Sequence, residues 1–155
     1  NAEYISLRIG LRDAQEVLDK YRQAKTGTPV QEIQTKLKTI MDEHMWIIKT
    51  KKGLEEAKEK VQQLKEEFNN VALTDKSVIY NTELVQVYET TGMLDLAQAM
   101  IVAALAREES RGTHYRHDFK EQDNKNWLKH SIIKYHQDGP ELLSENVKIG
   151  RLKPV

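Results

Sequence analysis

The chain has 155 residues, with 24 basic side chains, 24 acidic side chains and no cysteine. Zero formal charge argues against a surface that binds nucleic acid through its phosphates, because such a surface needs an excess of basic residues. The lack of cysteine excludes disulfides, thiolate metal sites, iron–sulfur ligation and a cysteine nucleophile in this chain, and no apolar stretch reaches the roughly 20 residues of a membrane span.

The first predicted element is a helix over about residues 10–25, which Gly27 ends. Four apolar or aromatic residues recur on one face at helical spacing: Leu11, Ala14, Leu18 and Tyr21. Residues 1–2 precede it without an initiator Met, and we expect them to be the remnant of a cleaved tag.

A second helix is predicted to begin at Thr28. The Thr28 side chain can cap it, Pro29 suits the first helical position, and Gln31 can bond back to the cap. The predicted buried face consists of Val30, Ile33, Leu37, Ile40 and Met41.

A third helix is predicted to restart at Thr50-Lys51-Lys52-Gly53 and to run to about residue 69. Its apolar face has heptad-like spacing and consists of Leu54, Ala57, Val61, Leu64 and Phe68. Glu and Lys lie three or four residues apart on the other face and give the helix weak support. Asn69-Asn70 is expected to end it.

A fourth helix over about residues 81–109 is the least polar. One apolar stripe precedes Gly92 (Leu84, Val87, Tyr88) and another follows it (Leu94, Ala97, Met100, Ile101, Ala104, Leu105). Gly92 is expected to bend or split this helix. We expect it to be the central helix, shielded by the others.

The last part of the chain is polar and irregular over 111–126. A β-hairpin is predicted from strands at about 129–136 and 142–150, with a turn at Gln137-Asp138-Gly139-Pro140 and strand-like alternation at Val147-Lys148-Ile149. The predicted fold is therefore mainly α: a three- to four-helix bundle, spectrin-repeat-like, with a small C-terminal β-hairpin. Residues 28–110 form the bundle, and 111–155 belong to the same domain.

A dense polar cluster follows the fourth helix, and it allows three interpretations. It consists of Glu109, Ser110, Arg111, Gly112, His114, Arg116 and Asp118. Histidines 114, 117, 130 and 136 and the neighbouring Asp118 could suggest a metal site, but Arg111 and Arg116 would repel a cation and no H-E-x-x-H motif exists, so no metal is predicted. Ser110 near His114 and Asp118 could suggest a hydrolase, but triads assemble in space, and no G-x-S-x-G elbow is present.

The third interpretation of the polar cluster is a structural joint. Arg111 offers a planar fork that suits a carboxylate, a phosphate or helix C-terminal carbonyls, and Glu109 could hold it from inside the molecule. Gly112 would permit the backbone reversal that ends the helix. His114, Arg116 and Asp118 could then bond to a neighbouring surface. A mixed-sign cluster is costly to bury unless each group is matched, so a joint is the favoured interpretation.

Several segments, in order, resemble one protein family. Residues 109–118 (E-S-R-G-T-H-Y-R-H-D) resemble the E-S-R-G-A-H-x-R-x-D segment of succinate dehydrogenase and fumarate reductase flavoprotein subunits. L-aspartate oxidase carries a related version of this segment. The resemblance covers about residues 30–155 and includes N-T-E-L-V at 81–85, N-W-L-K-H at 126–130, the tail 152–155 and the stretch 47–54. Thr113 replaces the usual Ala, Lys49 stands where Arg is common, and Trp46 stands where Gly is frequent.

The resemblance implies a role within a larger protein. Members of the family have an FAD-binding domain with a G-x-G-x-x-G motif, a capping domain and a C-terminal helical domain, and this chain resembles only the last. It implies succinate/fumarate oxidoreduction by the parent protein, with FAD as its cofactor and electron transfer to an iron–sulfur subunit. This chain alone is expected to be inactive, and residues 3–27 would join it to the missing flavin domain.

The resemblance also gives the polar cluster a surface to face. Together with Trp127 and His130, the cluster is expected to lie at a joint with the flavin domain of the same chain and near the iron–sulfur subunit. The expected location is the cytoplasm, or the cytoplasmic side of a membrane through partner subunits. The alternatives are an L-aspartate oxidase C-terminal domain and a free-standing helical module that binds a partner helix. Apolar surface that the flavin domain normally covers would promote self-association of this chain.

Overall fold

The computed structural model describes residues 15–16, 18–77, 79–136 and 139–150. In the first helix, α1, residues 15–16 and 18–23 are helical. Tyr21 of α1 is buried, and its ring centroid lies 5.7 Å from that of Phe68. The predictions for Leu11, Ala14, the segment 1–14 and the tail lie outside the described residues.

The second helix, α2, spans Val30–His44 and buries four of the five predicted residues, while Met41 is partly buried against the core. The prediction that Thr28 caps α2 is wrong. Thr28 instead forms a parallel bridge with Val71, and its hydroxyl donates to Glu67 Oε1 at 3.3 Å. A residue before proline favours extended backbone, and here that backbone is used for the bridge rather than for a cap.

The third helix, α3 (Lys51–Phe68), begins where the sequence indicated a restart. The Gly53 amide donates to Thr50 Oγ1 at 3.1 Å, so Thr50 is its N-cap. All five predicted apolar residues of α3 are buried. The two-residue strand β1 (Ile48–Lys49) precedes the cap.

The fourth helix, α4 (Thr82–Ala106), is continuous, so the prediction that Gly92 could split it is wrong. A Cβ at Gly92 would meet nothing within 4 Å, which means that no neighbouring element forces a break there. Asn81 caps the helix by accepting a hydrogen bond from the Leu84 amide at 2.8 Å. The helix ends three residues earlier than the predicted residue 109.

The core lies between α2, α3 and α4, as expected for a helical bundle. The prediction that the other helices shield α4 holds for one side of the helix only. Its buried side includes Leu94, Ala97 and Ile101, but five apolar or aromatic residues elsewhere on the helix are 43–73% exposed: Val85, Tyr88, Met93, Leu96 and Met100. We call these five the exposed stripe. It is largely exposed because α2 and α3 pack mainly against the side of α4 that carries Leu94, Ala97 and Ile101.

The remaining elements are β2 (Tyr115–Arg116), α5 (Asn124–Trp127), β3 (Lys129–Lys134) and β4 (Glu141–Asn146). Strands β3 and β4 form the predicted antiparallel hairpin. The predicted strand character of residues 147–149 is wrong: Lys129 begins β3 and pairs with Asn146, so no partner remains beyond it. Among the described residues, no helix combines the length and apolarity needed to cross a bilayer.

Candidate functional site

The polar cluster lies where the chain returns from the end of α4 to the start of α3. Strand β2 runs parallel to β1, with Ile48 opposite Tyr115 and Lys49 opposite Arg116. The reversal before β2 is a tight turn in which the amides of Arg111 and His114 donate to each other's carbonyls at 2.8 and 3.0 Å. Gly112 has φ +56°, which places it in this turn and not at the end of α4 as predicted.

Arg116 is 1% exposed and closes the C-terminal end of α4. Its Nη1 donates to the carbonyls of Ala104 and Leu105 at 2.9 and 3.0 Å, and to that of Arg107 at 3.2 Å. Carbonyls at the C-terminal end of a helix lack hydrogen-bond partners within the helix and form the negative end of its dipole. A guanidinium group supplies both donors and positive charge to them. The sequence suggested this role for Arg111; in the structure Arg116 fills it.

Asp118 holds the other side of the Arg116 guanidinium group. Arg116 Nε donates to Asp118 Oδ1 at 2.8 Å and Nη2 donates to Oδ2 at 2.6 Å. The Lys51 amide, in the first turn of α3, also donates to Asp118 Oδ2 at 3.2 Å. The hydrogen bonds from Arg116 are the main cause that lowers the pKa of the Asp118 carboxyl. The pair therefore connects the end of α4 to the beginning of α3.

Glu109 is fully buried and joins two arginines. Arg111 Nε and Nη2 donate to its two oxygens at 2.8 and 3.0 Å, Arg107 donates to Oε1, and the Asp123 amide donates to Oε2 at 2.9 Å. Burial by itself raises the pKa of Glu109, but these hydrogen bonds outweigh it and hold the pKa below its ordinary value. One carboxylate is thus shared by two guanidinium groups.

Arg107 attaches the hairpin to α4, a role that the sequence analysis missed. It donates to the carbonyls of Trp127 and Lys129 at 3.1 and 2.7 Å and to Ser131 Oγ at 3.1 Å, and it lies 5.3 Å from the Trp127 ring centroid. The sequence feature that could have indicated this role is the position of Arg107, a basic residue directly after the long helix α4. Asn124, which accepts from Arg111 Nη2 at 2.8 Å, was also missed.

Ser110 and His114 serve different contacts and are not hydrogen-bonded to each other. Ser110 Oγ donates to the Phe119 carbonyl at 2.7 Å and accepts from the Arg116 amide at 2.9 Å, while His114 Nε2 lies 3.3 Å from the Arg107 carbonyl. Burial is the main cause that lowers the pKa of His114, so the ring is neutral at pH 7. In the described part of the chain, no group of three or more His, Asp or Glu residues is placed to hold a metal ion.

The predicted site residues differ in exposure. Glu109 and Arg116 are buried within this chain, Ser110 is partly buried, and Gly112 and Asp118 are exposed. Arg111, His114, Trp127 and His130 line one cleft of about 360 Å³ between the turn and the hairpin. Another surface could reach these four in the cleft, and their role at a joint between domains stays a prediction.

The chain is similar to one part of several longer proteins. The family model described as fumarate reductase flavoprotein C-term matches residues 34–155. The fumarate reductase flavoprotein subunit of Haemophilus influenzae is 34% identical over 124 residues, which are 79% of this chain and 21% of that protein. The succinate dehydrogenase flavoprotein subunit of Rickettsia conorii is 30% identical over 125 residues, which are 81% of this chain and 21% of that protein.

A solved structure gives the same result. A chain of E. coli quinol fumarate reductase superposes with a TM-score of 0.89 at 30% identity, over 96% of this chain and 26% of that chain. The helical bundle and hairpin are therefore an arrangement shared with that protein. The chain spans about a fifth of the length of the curated relatives that it matches.

Proposed function

Because the chain belongs to the family of fumarate reductase flavoprotein C-terminal domains, we propose that it works as the C-terminal helical domain of an FAD-dependent succinate dehydrogenase or fumarate reductase flavoprotein subunit. The parent reaction is hydride transfer between succinate or fumarate and FAD, with electrons passed to an iron–sulfur subunit. The match over residues 34–155 is the observation that carries the proposal.

The chain's own residues do not fit FAD. A flavin dinucleotide is held by a strand, a glycine-rich turn and a helix N-terminus that faces the pyrophosphate. The sequence has no G-x-G-x-x-G motif, and in the described residues the parallel strands β1 and β2 are two residues long. On this proposal the cofactor is bound by the part of the flavoprotein outside this chain, and no step of the reaction is assigned to residues described above.

The function proposed for this chain is to pack on the flavin domain and hold it in place, close to the iron–sulfur subunit. The exposed stripe of α4 supports this, because apolar surface of this kind is usually covered in the complete protein. The cleft lined by Arg111, His114, Trp127 and His130 adds donors that can bond across the joint. Residues 3–27 would connect the two domains. The complete protein would lie in the cytoplasm or be held at the cytoplasmic side of a membrane by partner subunits.

The test is Arg111→Ala in the full-length flavoprotein, with bound flavin per protein and succinate/fumarate turnover as the measurements. Arg111 orients Glu109 and faces the cleft, so its loss is expected to lower both quantities. Lys52→Ala is the control, because the Lys52 side chain on α3 is 88% exposed and lies outside the polar cluster. Flavin content and turnover equal to those of the control would contradict a role for the cluster at the joint.

A further inference from the structure

Lys49 is a buried cation without a carboxylate partner among the described residues. It lies on β1 and is 8% exposed. Its ammonium group donates to the carbonyls of Trp46 and Ile47 at 2.7 and 3.4 Å. Burial lowers the pKa of Lys49, and no neighbouring acid acts against this. A buried ammonium group that bonds only to carbonyls is costly, because these dipoles do not replace a counter-charge.

The carboxylates of Glu109 and Asp118 in the polar cluster already pair with arginines. Glu109 is shared between Arg107 and Arg111, and Asp118 holds Arg116. Lys49 lies opposite Arg116 in the β1–β2 ladder, so the nearest partner group across the ladder is another cation. A carboxylate that pairs with Lys49 would therefore come from outside the described residues.

Lys49 lines an open cleft whose composition suits such a charge. The cleft has a volume of about 560 Å³, and its walls include Lys49, Arg107 and His114. None of the described residues that line it is acidic. Its rim is apolar: Trp46, Ile47 and Met100 are 68%, 60% and 45% exposed. A cationic interior with apolar residues at its edge fits a carboxylate that is part of a folded protein surface. A free anion would leave the apolar side chains at the edge exposed.

We propose that this cleft receives an Asp or Glu side chain from the flavin-binding part of the full-length protein, with its carboxylate paired to Lys49 and apolar neighbours packed on Trp46, Ile47 and Met100. The inference rests on the proposed function and names the chemistry of the joint. Two further observations select this occupant. The relatives are nearly four times as long as this chain, and Met100 makes the cleft continuous with the exposed stripe.

The experiment measures amide hydrogen exchange over residues 45–49, in this chain alone and in the full-length protein. Lys49→Met removes the charge and keeps the apolar stem, and Lys49→Arg keeps the charge. Lys52→Met is the matched control, because Lys52 is on the solvent side of α3 with its side chain 88% exposed. Wild-type segment 45–49 is expected to be much more protected in the full-length protein than in the chain alone.

In the full-length protein, Lys49→Met is expected to reduce that protection by about a hundredfold, because it leaves a buried carboxylate unpaired. Lys49→Arg and Lys52→Met are expected to retain it. In the chain alone, Lys49→Met is expected to lower the free energy of unfolding, measured with denaturant, by a small amount at most. The reason is that the positive charge removed there has no counter-charge.

The outcomes separate this inference from the proposed function. If the wild-type segment gains no protection in the full-length protein, docking itself is absent and both fail. If it gains protection that Lys49→Met and Lys52→Met leave equally intact, docking stands and the carboxylate contact is wrong. Protection that appears only after a separate subunit or a second copy is added overturns the proposed occupant. Unfolding of the Lys49→Met chain alone overturns the claim that Lys49 is unbalanced within this chain.

Discussion

Replacing Arg116 by Met is predicted to separate the end of α4 from the beginning of α3. The substitution removes three hydrogen bonds to carbonyls at or just beyond the end of α4 and two to Asp118. Met retains most of the apolar stem, so the loss measures the guanidinium group rather than the packing. Asp118, with its side chain 30% exposed, keeps access to water and to the Lys51 amide.

The magnitude follows from these contacts. Breaking a buried ion pair by removing one partner costs roughly 3–5 kcal/mol of unfolding free energy. Because Asp118 stays partly solvated, the expected cost is near the lower limit, about 3 kcal/mol. For a chain of this size 1 kcal/mol corresponds to about 2–4 °C in melting temperature, so the Tm of Arg116→Met should fall by roughly 6–12 °C.

The assay is thermal and urea unfolding of the chain, followed by circular dichroism at the helix band. Lys52→Met is the control, because Lys52 forms an exposed i,i+4 pair with Glu56 and its replacement should cost less than about 1 kcal/mol. Asp118→Asn should cost much less in the Arg116→Met background than alone, since the two residues share one interaction. A loss for Arg116→Met no larger than that of the control would refute the reasoning.

Two further predictions concern the core and pH. In urea unfolding, Leu94→Ala should destabilise the isolated chain by roughly 2–5 kcal/mol and Leu96→Ala by less than about 0.5 kcal/mol, because Leu94 is 1% exposed and Leu96 is 61% exposed. Equal losses of unfolding free energy for the two variants would contradict the assignment of Leu94 to the core. Burial lowers the pKa of His114 below its ordinary value, so below pH about 6.5 the folded chain binds fewer protons than the unfolded chain and loses stability as pH falls. His114→Gln should weaken this loss between about pH 7 and 5, and an unchanged pH dependence would contradict it.

Helix positions and buried faces could be predicted from the sequence because apolar spacing follows directly from helical geometry. The faces of α2 and α3 were predicted on this basis. The same reasoning was wrong for α4, where apolar residues occur on both sides. The spacing of Leu94 and Ile101 predicts a shared helix face. It does not show that neighbouring helices cover one side only and leave Tyr88 and Leu96 exposed.

Parts of the polar cluster could also be predicted. The Glu109–Arg111 pair is local, two residues apart, and residue type was enough to suggest it. The contact of Arg116 with the end of α4 depends on a turn that brings the chain back, and the contact of β2 with β1 joins segments 67 residues apart in sequence (Lys49 to Arg116). Two-residue strands have no periodic pattern, so nothing in the sequence indicated that Lys49 is buried beside this cluster.

The coding sequence upstream of residue 3 tests most directly whether this chain is a domain of a flavoprotein. We predict that the reading frame continues through several hundred further codons and contains G-x-G-x-x-G after an early strand, followed by a capping domain. A start codon close to residue 3, with no such frame, would contradict it. The chain would then be a free-standing helical module, and the exposed stripe and the cleft at Lys49 would have to bind a separate partner.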